Sequence, residues 1–375
     1  MSLGLSADVI VVGAGIVGAA VAWAAADEGL DVLIVSDGPP GDGATAAGMG
    51  HLVVLDDDPA ELALSHYSMG LWRAYTGDVR AQYHGCGTLW IANDEGEVRL
   101  LAAKQSRLAQ AGVASQWLAS DEVARAEPAL RPGLAAGLCV GSDAAVYAPA
   151  VAADLVARAC RERGARLLMP ARVGKLRPRG VTLDNGTALH AAAVVVAAGL
   201  ASRALLPELP FVPRKGHLAI TERAPAAALS HQVVEVGYGA SAHGSDDSVA
   251  FNVQPRPTGQ LLIGSCRQVN RDDHEIDAAM LGRLMAHALR VLPALASARV
   301  LRAWTGVRPG TPDGRPYIGR WPALDGVWIA AGHEGLGVTT ALGTARLVID
   351  PLLGRATAID ASPFDPARVL IEVPA

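Results

Sequence analysis

Three clusters in this sequence have residue types and spacings that could do chemistry. The first is Gly13-Ala14-Gly15-Ile16-Val17-Gly18. Glycine at its first position permits a tight turn, at its second lets backbone approach a pyrophosphate, and at its third lets a helix and a strand pack closely. The second is the small-residue run Gly41-Asp42-Gly43-Ala44-Thr45-Ala46-Ala47-Gly48-Met49-Gly50, closed by His51, where lack of bulk lets backbone approach a flat ring. The third is Trp304-Thr305-Gly306-Val307-Arg308-Pro309-Gly310-Thr311-Pro312-Asp313-Gly314-Arg315-Pro316-Tyr317-Ile318-Gly319, followed by Ala331-Gly332-His333-Glu334-Gly335-Leu336-Gly337-Val338-Thr339-Thr340. A guanidinium such as that of Arg308 meets a carboxylate through two parallel hydrogen bonds. A glycine turn before a helix can point N–H groups at negative charge as it develops.

These groups need elements to hold them. Asp8-Val9-Ile10-Val11-Val12 is a short apolar run ending in glycine, which suits a parallel strand buried on both faces. The alanine-rich segment from Ala19 to Glu28, closed by Gly29, predicts a helix, and Asp31-Val32-Leu33-Ile34-Val35 a second buried strand. Strand, glycine turn, helix and strand make a dinucleotide-binding unit whose helix N-terminus faces the phosphates. Where an acidic residue would normally hold the ribose hydroxyls stands Ser36, followed by Asp37. Either Asp37 reaches the ribose or Ser36 makes a neutral contact, and no basic residue is there for a 2′-phosphate. Further on, Ala193 to Gly199 reads as a buried strand with a small-residue end, and Ala341 to Ile349 as a helix. Val249 to Gln254 and Leu261 to Ser265 read as a hairpin turning at Pro257-Thr258-Gly259.

At 375 residues the chain exceeds the size at which one core stops growing, so two domains are expected. A net charge of −5 without a dense Lys or Arg run argues against a nucleic-acid partner. Cys86, Cys139, Cys160 and Cys266 form no CxxC pair and have no metal-ligand spacing, so we expect buried thiols in a reducing compartment and no metal. No stretch approaches the ~20 apolar residues of a membrane helix. Residues 1 to 7 lack the marks of a secretory signal, and a cytoplasmic protein is expected. Peripheral membrane contact has no support in the sequence. Asp56-Asp57-Asp58 before Pro59 reads as a solvated turn and helix cap.

Taken together and in order, these motifs resemble the FAD-dependent D-amino-acid oxidase family, with glycine oxidase and sarcosine oxidase, along the whole chain. The resemblance implies an α/β fold, a Rossmann-like FAD-binding domain with an inserted β-rich (α+β) substrate domain. The FAD domain would comprise residues 1–45, 146–205 and 301–375, and the substrate domain 46–145 and 206–300. FAD would be held by Gly13, Ala14, Gly15, Ile16, Val17 and Gly18, by Ser36 or Asp37, and by Gly43, Ala44, Thr45, Ala47, Gly48 and Met49. Further contacts would come from Val173 through its backbone, Ala197, Ala198, Gly199, Gly306, Arg308, Gly332, Gly335, Leu336, Gly337, Val338 and Thr339. Sarcosine oxidase-like members attach FAD through a cysteine where this chain has Gly306, so FAD should be noncovalent.

The implied activity is hydride removal from the carbon beside the nitrogen of a small amino or imino acid to flavin N5, giving an imine. Oxygen or another acceptor then takes the electrons. Arg308 would anchor the substrate carboxylate; the competing reading is an ion pair with Asp313 or with a helix end. His51 would line the pocket and, titrating near neutrality, could bias the amine toward its neutral form. His333 and Glu334 read as backbone contributors whose side chains cap the following helix. Glycine oxidase-like sequences can carry a second arginine in that turn, so recognition here would rest on Arg308 and neutral donors. The Gly-Met-Gly-His and Gly-His-Glu-Gly-Leu-Gly patterns look similar to proline- and hydroxyproline-type dehydrogenases and to β subunits of amine dehydrogenase complexes. That keeps open a flavin-binding subunit that needs a hetero-subunit for turnover. A NAD-dependent dehydrogenase would share only the opening unit.

Overall fold

The structure, a computed structural model, describes residues 6–55, 57–75, 83–237 and 247–370. Asp56 lies outside the described residues.

The first sheet has eight strands and grows from Ser6–Val12. Val32–Val35 pairs with it in parallel on one side and Ala188–Val196 on the other, so that Val12 stands opposite both Val35 and Val196. Arg166–Leu168 extends the sheet past Val32–Val35, and Val327–Ala331 extends it past Val194–Val196, both in parallel. Antiparallel Tyr317–Arg320 closes that side. The meander Val173–Arg177 and Gly180–Leu183 joins the earlier half of Ala188–Val196, turning at Asn185 and Gly186. Successive side chains alternate between two cores: Val9, Val11 and Ile34 pack on one side, Ile10, Val12, Leu33 and Val35 on the other. A sheet covered on both faces requires apolar residues at every position, which explains the unbroken runs.

Helix Ile16–Asp27 has no polar face, because it is buried between helices Ala148–Arg163 and Gly337–Leu352. It begins before the expected Ala19 because Gly15 occupies the cap position. Likewise the helix expected from Ala341 starts at Gly337. Helix Pro59–Tyr75 crosses Gly337–Leu352 at Gly343, where a Cβ would lie 2.2 Å from Ser68 Oγ. Trp72 Nε1 donates to Thr339 O across the same contact at 2.8 Å. Asp58 caps the start of Pro59–Tyr75, accepting from Ala60 N and Glu61 N.

The second sheet, also eight-stranded, runs Val300–Gly310, Val212–Arg223, Gln260–Val269, Ser248–Pro255, Gln232–Glu235, Thr88–Ala92, Ala136–Val140, Gln116–Ala119. One face carries Phe251, Val253, Leu261 and Ile263 against Leu284, Ala288 and Val291 of helix Ala278–Val291, which Asp277 caps through Met280 N at 3.0 Å. The other face looks toward the glycine-rich segment of the first unit. The expected hairpin is present and longer, Ser248–Pro255 with Gln260–Val269. The boundary expected at residues 300 and 301 is not where the sheets divide. Val300–Gly310 pairs with Val212–Arg223, bringing Arg308 opposite Arg214 and Gly306 opposite Gly216. A third, small sheet joins His51–Leu52, Ala144–Val146 and Tyr83–His84. Among the described residues no helix is long and apolar enough to cross a membrane.

Candidate active site

The three sequence clusters meet where the two large sheets face each other. Gly13 has φ 104°, and a Cβ on it would lie 2.6 Å from Ala197 O, so the first glycine turn touches the end of the Ala188–Val196 strand. Ala198 and Gly199 continue that turn, Gly199 with φ 56°. A Cβ on Gly18 would lie 2.0 Å from Gly13 O, which is how closely the helix sits over the turn. Thr45 Oγ1 accepts from Ile16 N at 3.0 Å, and Gly41 N donates to Ala14 O at 2.8 Å. These two bonds tie the small-residue segment to the helix start. Ser36 is buried and its hydroxyl donates to Gly38 O at 2.8 Å, whereas Asp37 is exposed. Val173 is buried at the start of its strand.

A second helix start lies beside the first: a Cβ on Gly337 would stand 4.0 Å from Val17 Cγ2. The cap positions of these two helices are Gly15 and Leu336, and neither supplies a side-chain cap. Two neighbouring helix N-termini with such caps make an electropositive backbone cradle. Gly332, with φ 87°, shapes the turn leading into the second helix.

Gly50 delivers His51 to this place. Its φ is 73° and its missing Cβ makes room for Val146 O, which would otherwise be 1.8 Å away. His51 Nε2 lies 3.0 Å from Thr88 Oγ1, and His51 O accepts from the Thr339 hydroxyl at 2.9 Å. Loss of hydration pushes the imidazole down to about 3. His51 was expected to titrate near neutrality; it is instead a neutral ring throughout the physiological range, because its surroundings give a charge nothing in exchange for water.

Arg308 faces the same space from the second sheet. Trp304 Nε1 donates to Ala47 O at 3.2 Å, and a Cβ on Gly306 would come within 2.4 Å of Ala47 Cβ, so this strand lies directly over the small-residue segment. Arg308 Nη1 donates to Cys266 O at 3.1 Å and Nη2 to Ser265 Oγ. Gly216 leaves room for this guanidinium where it stands, since a Cβ there would be 2.7 Å from Arg308 Nη2 and would push the side chain aside. Asp313 pairs with Arg368 at 2.7 Å, not with Arg308, so the competing ion-pair reading does not hold.

Sequence reading missed a buried pair beside Arg308. Arg267 Nε donates to Glu334 Oε1 at 3.1 Å, and Arg267 Nη2 lies 3.5 Å from Oε2. Burial by itself would raise the Glu334 pKa, but Arg267, Arg308 and Arg214 outweigh it and hold the carboxyl at about 2. The available signal was a charged residue at the end of the apolar run Leu261-Leu262-Ile263-Gly264-Ser265-Cys266. The expected capping role needs correcting for both turn residues. Glu334 does accept from Gly335 N at 2.5 Å, but its main partner is Arg267. His333 points inward, its Nε2 3.0 Å from Thr344 Oγ1, and burial lowers it to about 3.

His333 therefore carries a pH signature. Its folded pKa lies below its unfolded value, so the stability it contributes is present above about pH 6.5 and lost as pH falls toward 3. His333→Gln is expected to remove about 1.4 kcal/mol per pH unit from the acid slope of unfolding free energy between roughly pH 6 and 4. Urea unfolding at a series of pH values reads this directly; parallel slopes for both proteins would refute it.

A glycine-turn α/β sheet facing a mostly antiparallel sheet that presents an arginine is the architecture of a two-part nucleotide-dependent oxidoreductase. Residues 8–350 match the model of a family described as FAD dependent oxidoreductase. The chain is 32% identical to glycine oxidase of Pseudomonas aeruginosa, over 97% of this chain and 99% of that one. The crystal structure of glycine oxidase from Geobacillus kaustophilus is similar with a TM-score of 0.86 at 28% identity, covering 97% of this chain and 99% of that one. L-proline dehydrogenase from P. horikoshii shares the fold, with a TM-score of 0.87 at 22% identity over 98% of each chain. The chain belongs to the FAD dependent oxidoreductase family. Its cofactor is FAD, and the nicotinamide reading of the opening unit is set aside. The cradle fits that group: paired helix starts suit a pyrophosphate and an electron-rich ring edge, and the glycines leave the backbone open to both.

Proposed function

We propose that this enzyme oxidises a small amino or imino acid at the carbon beside its nitrogen, with Arg308 holding the substrate carboxylate. The observation that carries the reading is the placement of Arg308, whose Cδ would lie 3.8 Å from a Cβ on Gly335, at the turn that opens helix Gly337–Leu352. The anchor thus stands at the mouth of the cofactor cradle. Its similarity to glycine oxidases supports a small substrate.

In this reading the segments Gly13–Gly18, Gly43–Met49, Ala197–Gly199 and Gly332–Thr339 would hold FAD, with Val173, Ser36 and Gly306 as further contacts. Ser36 is the better ribose neighbour than Asp37, because it is the buried one. The bound flavin supplies a hydride acceptor. The chain's own residues position the substrate: Arg308 fixes the carboxylate through its planar fork, backed by Ser265 and Cys266. His51, neutral and held by Thr88, offers a hydrogen-bonding ring without drawing a proton from the amine. The substrate must then arrive at the transfer step with its nitrogen uncharged, which makes turnover rise with pH as the amine loses its proton.

The test is to add glycine, sarcosine, D-alanine, D-proline and cis-4-hydroxy-D-proline anaerobically to the yellow holoenzyme. Bleaching of the flavin band by at least one is the expected result, and admitting air then separates an oxidase from a dehydrogenase. A flavin that none of them reduces would sink the small-amino-acid reading and favour a subunit that needs a partner.

A further inference from the structure

We infer that Glu334 is a built-in counter-carboxylate that restricts the site to substrates carrying a single carboxylate. This rests on the amino-acid reading above and narrows it. Three arginines surround Glu334: Arg267 from strand Gln260–Val269, Arg308 from Val300–Gly310 and Arg214 from Val212–Arg223. Arg267 is 5% exposed and Glu334 16%, so the pair is buried yet Glu334 is its accessible end. Glu334 fills an anion position made of the Arg267 Nε and Nη2 edge and the Gly335 N–H. Its backbone holds φ 46°, a conformation uncommon outside glycine, which this turn keeps for a glutamate. With that carboxylate ionised at any working pH, a second substrate carboxylate meets an occupied guanidinium and a like charge.

Removing the Glu334 side chain should therefore open a hole shaped for a carboxylate. Glycine is the replacement that suits the backbone. The assay compares sarcosine with iminodiacetate and D-alanine with D-aspartate, for wild type, Glu334→Gly and Glu334→Gln holoenzymes. Wild type is expected to favour the monocarboxylate of a pair by about 100-fold in kcat/KM, on the scale of a buried charge left facing a like charge. Glu334→Gly should shift that ratio by about 100-fold toward the dicarboxylate, and formate should restore its monocarboxylate oxidation. Glu334→Gln, which keeps the shape and drops the charge, should fall between, and it decides the matter if the glycine variant fails to fold. Thermal melting supplies a readout without turnover: formate and malonate should stabilise Glu334→Gly and leave wild type unmoved. Unchanged ratios in both variants, or a wild type indifferent to the second carboxylate, would overturn the inference. If no compound reduces the wild-type flavin, the amino-acid reading has failed instead, and the formate and malonate melting shifts still decide whether Glu334 fills a carboxylate site.

Discussion

Arg308→Leu is expected to lower kcat/KM for the best substrate by about 1,000-fold, the scale of losing a buried, charge-assisted carboxylate anchor. The loss should fall mainly on KM, because the side chain holds the substrate without taking part in bond breaking. It also removes the donor to Ser265 Oγ and Cys266 O, so some local rearrangement is included in the effect. Arg308→Lys should recover only part, since a point charge cannot reproduce the planar fork. Rapid anaerobic reduction measured over a range of substrate concentrations separates the two parameters. The flavin spectrum should stay that of the wild type, showing that FAD remains bound. Full activity in Arg308→Leu would move the anchor elsewhere, with Arg267 the first place to look.

Gly18→Ala should strip the protein of its cofactor. The new methyl group would lie 2.0 Å from Gly13 O and 2.9 Å from Gly13 C, both backbone atoms that cannot turn aside. Either the helix lifts off the turn or the turn deforms, and each disrupts the pyrophosphate cradle. The expected outcome is a flavin-to-protein absorbance ratio several-fold below that of wild type, together with a lower melting temperature. Gly70→Ala is the matched control: Gly70 lies within helix Pro59–Tyr75 with nothing within 4 Å of a Cβ, so it should keep its FAD and gain about 1 kcal/mol. Normal FAD content in Gly18→Ala would show that the cradle tolerates a wider separation than its geometry implies.

The first sheet was legible because its chemistry is local. Gly13, Gly15 and Gly18 sit within one turn, and a strand buried on both faces announces itself by unbroken β-branched runs such as Val9 to Val12. The second sheet was legible only at its hairpin, since pairing Val300–Gly310 with Val212–Arg223 depends on segments about ninety residues apart. Arg308 was singled out through its motif. Arg267 was hidden by register: pairing shifts by one residue between Lys215 opposite Gln268 and Ala219 opposite Ile263. Simple alternation from Gly264 would put Cys266, not Arg267, toward the site. The shift reverses that, so that Cys266 Sγ meets His217 behind the sheet and Arg267 meets Glu334 in front. His51 was singled out by its motif, but its protonation belongs to the packing around it, which no sequence window contains.

The all-apolar character of helix Ile16–Asp27 bears on how the chain comes to be made. One of the two helices that cover it, Gly337–Leu352, is translated more than three hundred residues after it. Until then the alanine- and valine-lined cylinder is covered by Ala148–Arg163 on one side and lacks its permanent cover on the other. The FAD cradle, which needs both helix starts side by side, is completed only once the second of these helices has been made. Cofactor capture is in that sense a proofreading step on a chain that carries both helices, and a chain terminated before Gly337 would leave its all-apolar helix uncovered on that side.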